Sequence, residues 1–267
     1  MKTILLIRSL CYKIFFIFDQ ITGLNKHAVT ALCYHSFSDN SNRYSVTPSE
    51  FEKQIQTIRK YSDFISLSEL KEYLNGKTPD RSKVLITIDD GYRSILKIAP
   101  IIQKYHVPVV LFVLSNPKAA NRKELDTDEE LLSWDDLCDL VKKGWVVGSH
   151  SATHKNFSKL SDTELAVEIT KSKEQIAMRT KSPIEVFAYP KGIFTDTVLA
   201  YMKNGPYTLA FTTLSGTIKH GVNPLLLPRT IIDQTHSFQD FPALYSRSWL
   251  WFRTITNKLQ LWERFLS

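Results

Sequence analysis

Cysteine is scarce in this sequence, and Cys11, Cys33 and Cys138 show no CxxC spacing. An odd, scattered set argues against a disulfide framework and fits a reducing compartment. Each lies in an apolar stretch and reads as a small core residue. Long hydrophobic runs are missing too. The N-terminal segment is apolar-rich, but Arg8, Lys13 and Asp19 interrupt it, and its longest unbroken runs are residues 4–7 and 14–18. These are too short for a membrane-spanning helix or the core of a signal peptide, and no small-residue cleavage site follows Phe18. The sequence also has no internal repeat, no low-complexity stretch and no nucleic-acid-binding motif.

What is present is enough for one large core. Of 267 residues, 43% are hydrophobic and 23% charged, a balance suited to a single α/β barrel. The formal net charge of +7 suits an anionic membrane surface or an anionic polymer. Both ends of the chain are amphipathic. On a helical wheel Lys2, Arg8, Lys13, Asp19 and Lys26 form one stripe, with Ile7, Leu10, Ile14, Ile17, Phe18 and Ile21 opposite. Such a helix packs on the domain or lies on a membrane surface, with a weak signal anchor as the other reading. In the C-terminal segment Trp251, Phe252, Ile255, Leu259, Trp262 and Leu266 share one face, while Arg247, Arg253, Lys258 and Arg264 lie on the other. That pattern fits either a helix on an anionic bilayer or a terminal helix docked on the barrel. The expected organisation is an N-terminal helix over 1–26, a barrel over 27–240 and a basic amphipathic helix over 241–267. The expected location is cytoplasmic, peripheral to the inner face of the membrane.

Strand and helix signals alternate along the barrel segment. Strands are expected at residues 30–34, 84–88, 109–114, 145–149, 186–189, 209–213 and 226–232. Helices are expected from Thr47-Pro48-Ser49-Glu50, at 68–74, at 95–105, from Ser133, from the capping box Ser161-Asp162-Thr163-Glu164 to about 181, and before Gly205. Sustained alternation without a composition break predicts one α/β barrel-like domain.

One stretch carries charge where a buried strand should end. Val84-Leu85-Ile86-Thr87-Ile88 runs into Asp89-Asp90-Gly91-Tyr92. An Asp-Gly turn explains the glycine, but two adjacent carboxylates at a strand's C-terminal end also mark the mouth of an α/β fold, where its chemistry sits. A second strand delivers His150-Ser151-Ala152-Thr153-His154, with two histidines placed to share a metal if the segment forms a helical turn. Two histidines and one carboxylate form a catalytic metal shell, and the second carboxylate, pointing elsewhere by strand alternation, is free to act as general base.

Five motifs in order resemble the polysaccharide deacetylase family, carbohydrate esterase family 4, and within it the branch that de-N-acetylates poly-N-acetylglucosamine. They are Leu32-Cys33-Tyr34-His35, Ile86-Thr87-Ile88-Asp89-Asp90-Gly91-Tyr92, His150-Ser151-Ala152-Thr153-His154, Phe187-Ala188-Tyr189-Pro190-Lys191-Gly192 and Leu227-Pro228-Arg229. The resemblance implies a distorted (β/α)7 barrel, Asp89 as the base, and Asp90, His150 and His154 as ligands of a divalent metal, zinc being commonest. It implies that Tyr189 and Pro190 line the substrate groove and that the Lys191 backbone N–H helps hold an oxyanion. The implied partner is an N-acetylated glycan or glycolipid.

The sequence departs from the family pattern in three ways. Lys191 replaces an aromatic, Ala188 stands where an arginine often orients the base, and no late motif supplies an acid histidine. His220 and His236 read as loop residues. Arg229, after a buried strand, either pairs with Asp89 or another carboxylate or is a surface arginine, and it is counted among the substrate contacts. His35 either lines the mouth or bonds locally. The function expected is removal of an N-acetyl group from an N-acetylhexosamine. The competing readings are a deacylase of another amide or ester, motivated by Lys191, and a catalytically weak glycan-binding barrel at the membrane, motivated by the missing acid.

Overall fold

The computed structural model describes residues 2–39, 42–121, 125, 128–234 and 238–258, with only the backbone described for 2–8 and 256–258. Eight parallel strands, β1 (Val29–Tyr34), β2 (Asp63–Phe64), β3 (Lys83–Ile88), β4 (Val109–Val113), β5 (Val146–Ser149), β6 (Val186–Ala188), β7 (Leu209–Phe211) and β8 (Thr230–Ile231), make one sheet. Seven lie in the spatial order β7-β6-β5-β4-β3-β1-β8, and β2 pairs with β3 off that path. The curl is drawn together where Phe211 bridges Leu227 in parallel, just before β8 returns to β1. This is the expected (β/α)7 barrel. The strands read as continuous apolar runs because helices and barrel interior cover both faces: every residue of β1 and β4 is buried.

The helices are α1 (Lys2–Thr22), α2 (Pro48–Tyr61), α3 (Leu67–Leu74), α4 (Ala99–Tyr105), α5 (Trp134–Lys142), α6 (Asp162–Leu165), α7 (Ser172–Thr180), α8 (Asp196–Lys203) and α9 (Arg247–Lys258). Capping boxes open α2, α3, α5 and α6, each pairing a Ser or Thr with an acidic residue three positions on. Where prolines intervene, the elements are shorter than the hydrophobic pattern suggests. The helix expected over 95–105 splits into a 3-10 turn, Arg93–Lys97, and α4, because Pro100 cannot donate a backbone hydrogen bond. Pro228 likewise leaves Thr230–Ile231 as the paired part of the last strand.

The N-terminal helix packs on the protein with an unexpected face. Tyr12 meets Trp249 edge-on at 4.3 Å, Phe15 lies 5.1 Å from Phe252, and Phe16 meets Tyr61 at 5.0 Å. Asp19, assigned by the wheel to the polar stripe, is buried. Its carboxylate accepts from Ser246 Oγ at 2.5 Å, from the Ser248 N–H at 3.1 Å and from Ser248 Oγ, capping the start of α9. The apolar stripe from Leu10 to Ile21 faces solvent. Leu259, Trp262, Arg264 and Leu266 lie outside the described residues.

Candidate active site

Register brings the chemistry together. Tyr34 pairs with Ile88 across β1 and β3, so His35 and Asp89 leave the sheet side by side. Val113 pairs with Ser149 across β4 and β5, and Ser149 with Phe187 across β5 and β6. His150 and the turn after Ala188 therefore emerge at the same mouth.

Asp89 is bonded from below. Arg229 Nη1 and Nη2 donate to its two carboxylate oxygens, each at 2.7 Å. The guanidinium has no exposed surface; it also donates to Thr212 O and Thr87 Oγ1, both at 3.1 Å, and lies 5.5 Å and 5.8 Å from the Phe112 and Phe211 rings. Burial pushes the Asp89 carboxyl up, but Arg229 and His150 outweigh it and hold its pKa below the ordinary value. Of the readings open for Arg229, the structure shows the pairing with Asp89: the guanidinium anchors the carboxylate and is wholly buried, away from a substrate.

Strand alternation does not separate the two carboxylates. Asp90 has left the strand in the left-handed region (φ 68°), which a short polar side chain tolerates, and this turns it back toward the same histidine as Asp89. His150 Nε2 lies 3.4 Å from Asp90 Oδ1 and 3.9 Å from Asp89 Oδ2, and His154 Nε2 lies 3.4 Å from Asp90 Oδ1. Gly91 follows at φ 77°, where a Cβ would come within 3.0 Å of Val113 Cγ1.

The HxxxH segment is not a helical turn. It is an irregular loop with Ser151 and His154 both left-handed (φ 73° and 60°). The loop is held by Glu168, a buried carboxylate that accepts from the Ala152 and Thr153 N–H groups at 3.0 and 2.9 Å and from Thr153 Oγ1 at 2.6 Å. Glu168 lies in a π-helical stretch, Ala166–Lys171, between α6 and α7. Sequence reasoning missed it, although the signal was there. Leu165, Ile169 and Ile176 form a buried stripe, and Glu168 is a charge on it. Glu168→Ala is expected to weaken divalent-metal binding about 10–100-fold, as loss of groups that orient metal ligands does. Glu168→Gln, which keeps an acceptor for both backbone N–H groups, should recover most of that loss. Metal titration of the two variants checks this, and equal affinities in both would remove Glu168 from the account.

Asp90, His150 and His154 bring ligand atoms within 4.8 Å of one another, all buried. Three observations fit them to a divalent cation. Both Asp90 oxygens are buried without a hydrogen-bond partner. The His150 Nδ1 lies 2.8 Å from the Ala188 carbonyl, an interaction that needs the proton on Nδ1 and leaves the Nε2 lone pair facing Asp90. Burial pushes the His154 imidazole down to about 4, so the ring is neutral at pH 7, as a ligand must be. Burial lowers the His150 pKa too, but the charges of Asp89 and Asp90 outweigh it and raise the value. A cation would supply the positive charge those carboxylates otherwise draw from a proton.

The remaining site residues divide by depth. Tyr189 is buried, with its hydroxyl donating to Leu225 O at 3.1 Å and its ring packed on Phe187, so only its backbone reaches the mouth. Pro190 is also buried, and Lys191 sits left-handed in the turn (φ 56°). The Lys191 charge is near enough to help lower the His154 pKa. Gly192 is required there, because a Cβ would come within 2.0 Å of Thr213 Oγ1. His35, half-stacked on Tyr44 at 5.1 Å, brings a ring nitrogen within 4.8 Å of Asp89, and its Nδ1 is buried without a partner. His220 lies far from this cluster, against Tyr73 at 4.3 Å, and His236 lies outside the described residues.

The polysaccharide deacetylase description matches residues 76–210. The chain belongs to the polysaccharide deacetylase family. A poly-beta-1,6-N-acetyl-D-glucosamine N-deacetylase of Staphylococcus aureus (strain MRSA252) is 28% identical over 234 residues, covering 80% of this chain and 79% of that protein. Among solved structures, IcaB from Ammonifex degensii superposes with a TM-score of 0.71 at 24% identity, over 82% of this chain and 97% of that one. The Streptococcus pyogenes deacetylase PplD, solved in complex with acetate, gives 0.69 at 23% identity, over 80% and 96%. Family and fold thus agree with the barrel, and the motif segments fall at its mouth.

Proposed function

We propose that the protein is a metal-dependent hydrolase that removes the N-acetyl group from an N-acetylhexosamine, of the poly-N-acetylglucosamine type, in a surface polysaccharide or its lipid-linked precursor. The observation that carries this reading is the pairing at one barrel mouth of an arginine-anchored, ionised Asp89 with the buried Asp90-His150-His154 set. The similarity to the staphylococcal N-deacetylase supports the choice of substrate class.

A divalent cation held by Asp90, His150 and His154, zinc first among candidates, would polarise the acetamide carbonyl and make water more acidic. Asp89 then takes the proton of the attacking water. Arg229 keeps that carboxylate ionised and aimed while lowering its basicity. The Lys191 N–H is assigned to the developing oxyanion, and glycine at 192 lets the turn approach closely enough. The leaving amine needs a proton. His35, beside Asp89 and outside the metal set, is the residue assigned to deliver it.

The test is acetate release from N-acetylglucosamine oligomers by protein loaded in turn with Zn, Co, Ni and Mn, alongside Asp89→Asn. Release that needs metal and falls in the variant is expected. No release with any of the four metals, together with no change in Asp89→Asn, would sink the reading. In the same assay His35→Ala should slow release from the amide more than from an activated acetyl ester, whose leaving group needs no proton.

A further inference from the structure

α1 buries its one carboxylate and shows its apolar side. Leu10, Ile14, Ile17, Phe18 and Ile21 are between 48% and 79% exposed, while Asp19 is 1% exposed. The face continues past the end of the helix. Phe18 and Leu24 border a groove of about 980 Å³, whose other wall is formed by Leu214, Leu226, Leu250 and Trp251, well away from the metal cluster. Trp251 is itself 62% exposed. A single exposed leucine needs no explanation, but a run of this length on one helix, continuous with an apolar groove, does.

The charge around this face is of one sign. Residues 2–26, 214–222 and 247–258 contain one carboxylate, Asp19, which is buried and spent on Ser246 and Ser248. Lys13, Lys26, Lys219 and Arg247 are exposed beside the apolar surface, the last two at the rim of the groove. Two copies of such a face would bring like charges together, whereas an anionic surface complements them. No helix among the described residues is long and apolar enough to cross a membrane.

We propose that the outward face of α1, with Trp251 and the adjoining groove, docks on an anionic phospholipid bilayer. The apolar side chains enter the acyl boundary, Trp251 sits at the headgroup level, and the lysines and Arg247 meet lipid phosphates. This does not depend on the deacetylase reading, because vesicle binding is measured without catalysis.

The experiment is flotation of the full chain with vesicles of phosphatidylcholine alone and of phosphatidylcholine mixed with phosphatidylglycerol. The wild type should float with the mixed vesicles, and less so at high salt. Ile17→Asp/Ile21→Asp and Trp251→Ala, all at exposed positions, should each weaken partition at least about tenfold without changing acetate release from soluble oligomers. Lys26→Glu/Lys219→Glu should remove the preference for phosphatidylglycerol. Equal flotation of wild type and variants would overturn the proposal. So would a wild type that ignores vesicles and forms a dimer which Ile17→Asp/Ile21→Asp dissociates.

Discussion

Arg229→Met is expected to destabilise the metal-free protein by about 3–5 kcal/mol, the usual result of removing one member of a buried ion pair. In a chain of this size that lowers the melting temperature by roughly 10 °C. The loss comes from the partner left behind. Asp89 is 2% exposed, and both its oxygens take their shortest hydrogen bonds from the arginine. The sign with pH follows from the same pair. In the wild type the folded pKa of Asp89 lies below its reference value of 3.8, so the pair's stabilisation is complete above about pH 4 and is lost as the pH falls through the folded value. Without Arg229, burial is the largest influence left on the carboxyl and pushes its pKa upward. The deficit is then full at high pH and shrinks as acidification protonates the carboxyl. Unfolding in EDTA at about pH 8 and about pH 5 should show the smaller deficit at the lower pH. Asp89→Leu/Arg229→Met, with both charges gone, should regain most of the stability and none of the activity. A deficit under about 1 kcal/mol in the single variant, or one equal at both pH values, would mean that the pair does not hold the base.

His150→Ala/His154→Ala is expected to lose metal binding by more than about 100-fold, beyond what loss of supporting groups alone produces, and acetate release with it. The argument rests on the two unpartnered oxygens of Asp90 and the tautomer set at His150 by Ala188 O. Elemental analysis of purified wild type and variant reads the loss directly. Thermal unfolding reads it without catalysis. At a free metal concentration of 100 times Kd the wild type should gain about 2.7 kcal/mol, and the variant should gain almost nothing. Stoichiometric metal in the double variant would place the ion elsewhere and leave Asp90 unexplained.

The barrel strands were legible because a strand covered on both faces must be almost wholly apolar, as residues 109–113 are and residues 84–88 are apart from Thr87. Helix starts were legible because capping boxes are local, and Thr47, Ser133 and Ser161 need only residues three positions away. Asp89, Asp90, His150 and His154 were legible as strand-end charges in a known order. What misled was local geometry. The Asp90 turn and the two left-handed residues of the HxxxH loop depend on backbone that only packing selects. Arg229 was ambiguous because its partner lies 140 positions away, and Glu168 was overlooked because it braces a loop from a helix outside the motif.

By itself, then, the sequence determined the class of fold, the ordered set of chemical groups and the amphipathic character of the ends, because periodicity, capping and strand-end charge are properties of neighbouring residues. Tertiary structure decided which carboxylate the arginine holds, what keeps the histidine loop in place, and which side of α1 faces out. Those depend on distant segments meeting. A helical wheel shows that one stripe is apolar, but only the rings of Trp249, Phe252 and Tyr61 and the α9 N-terminus waiting for Asp19 decide which stripe is covered.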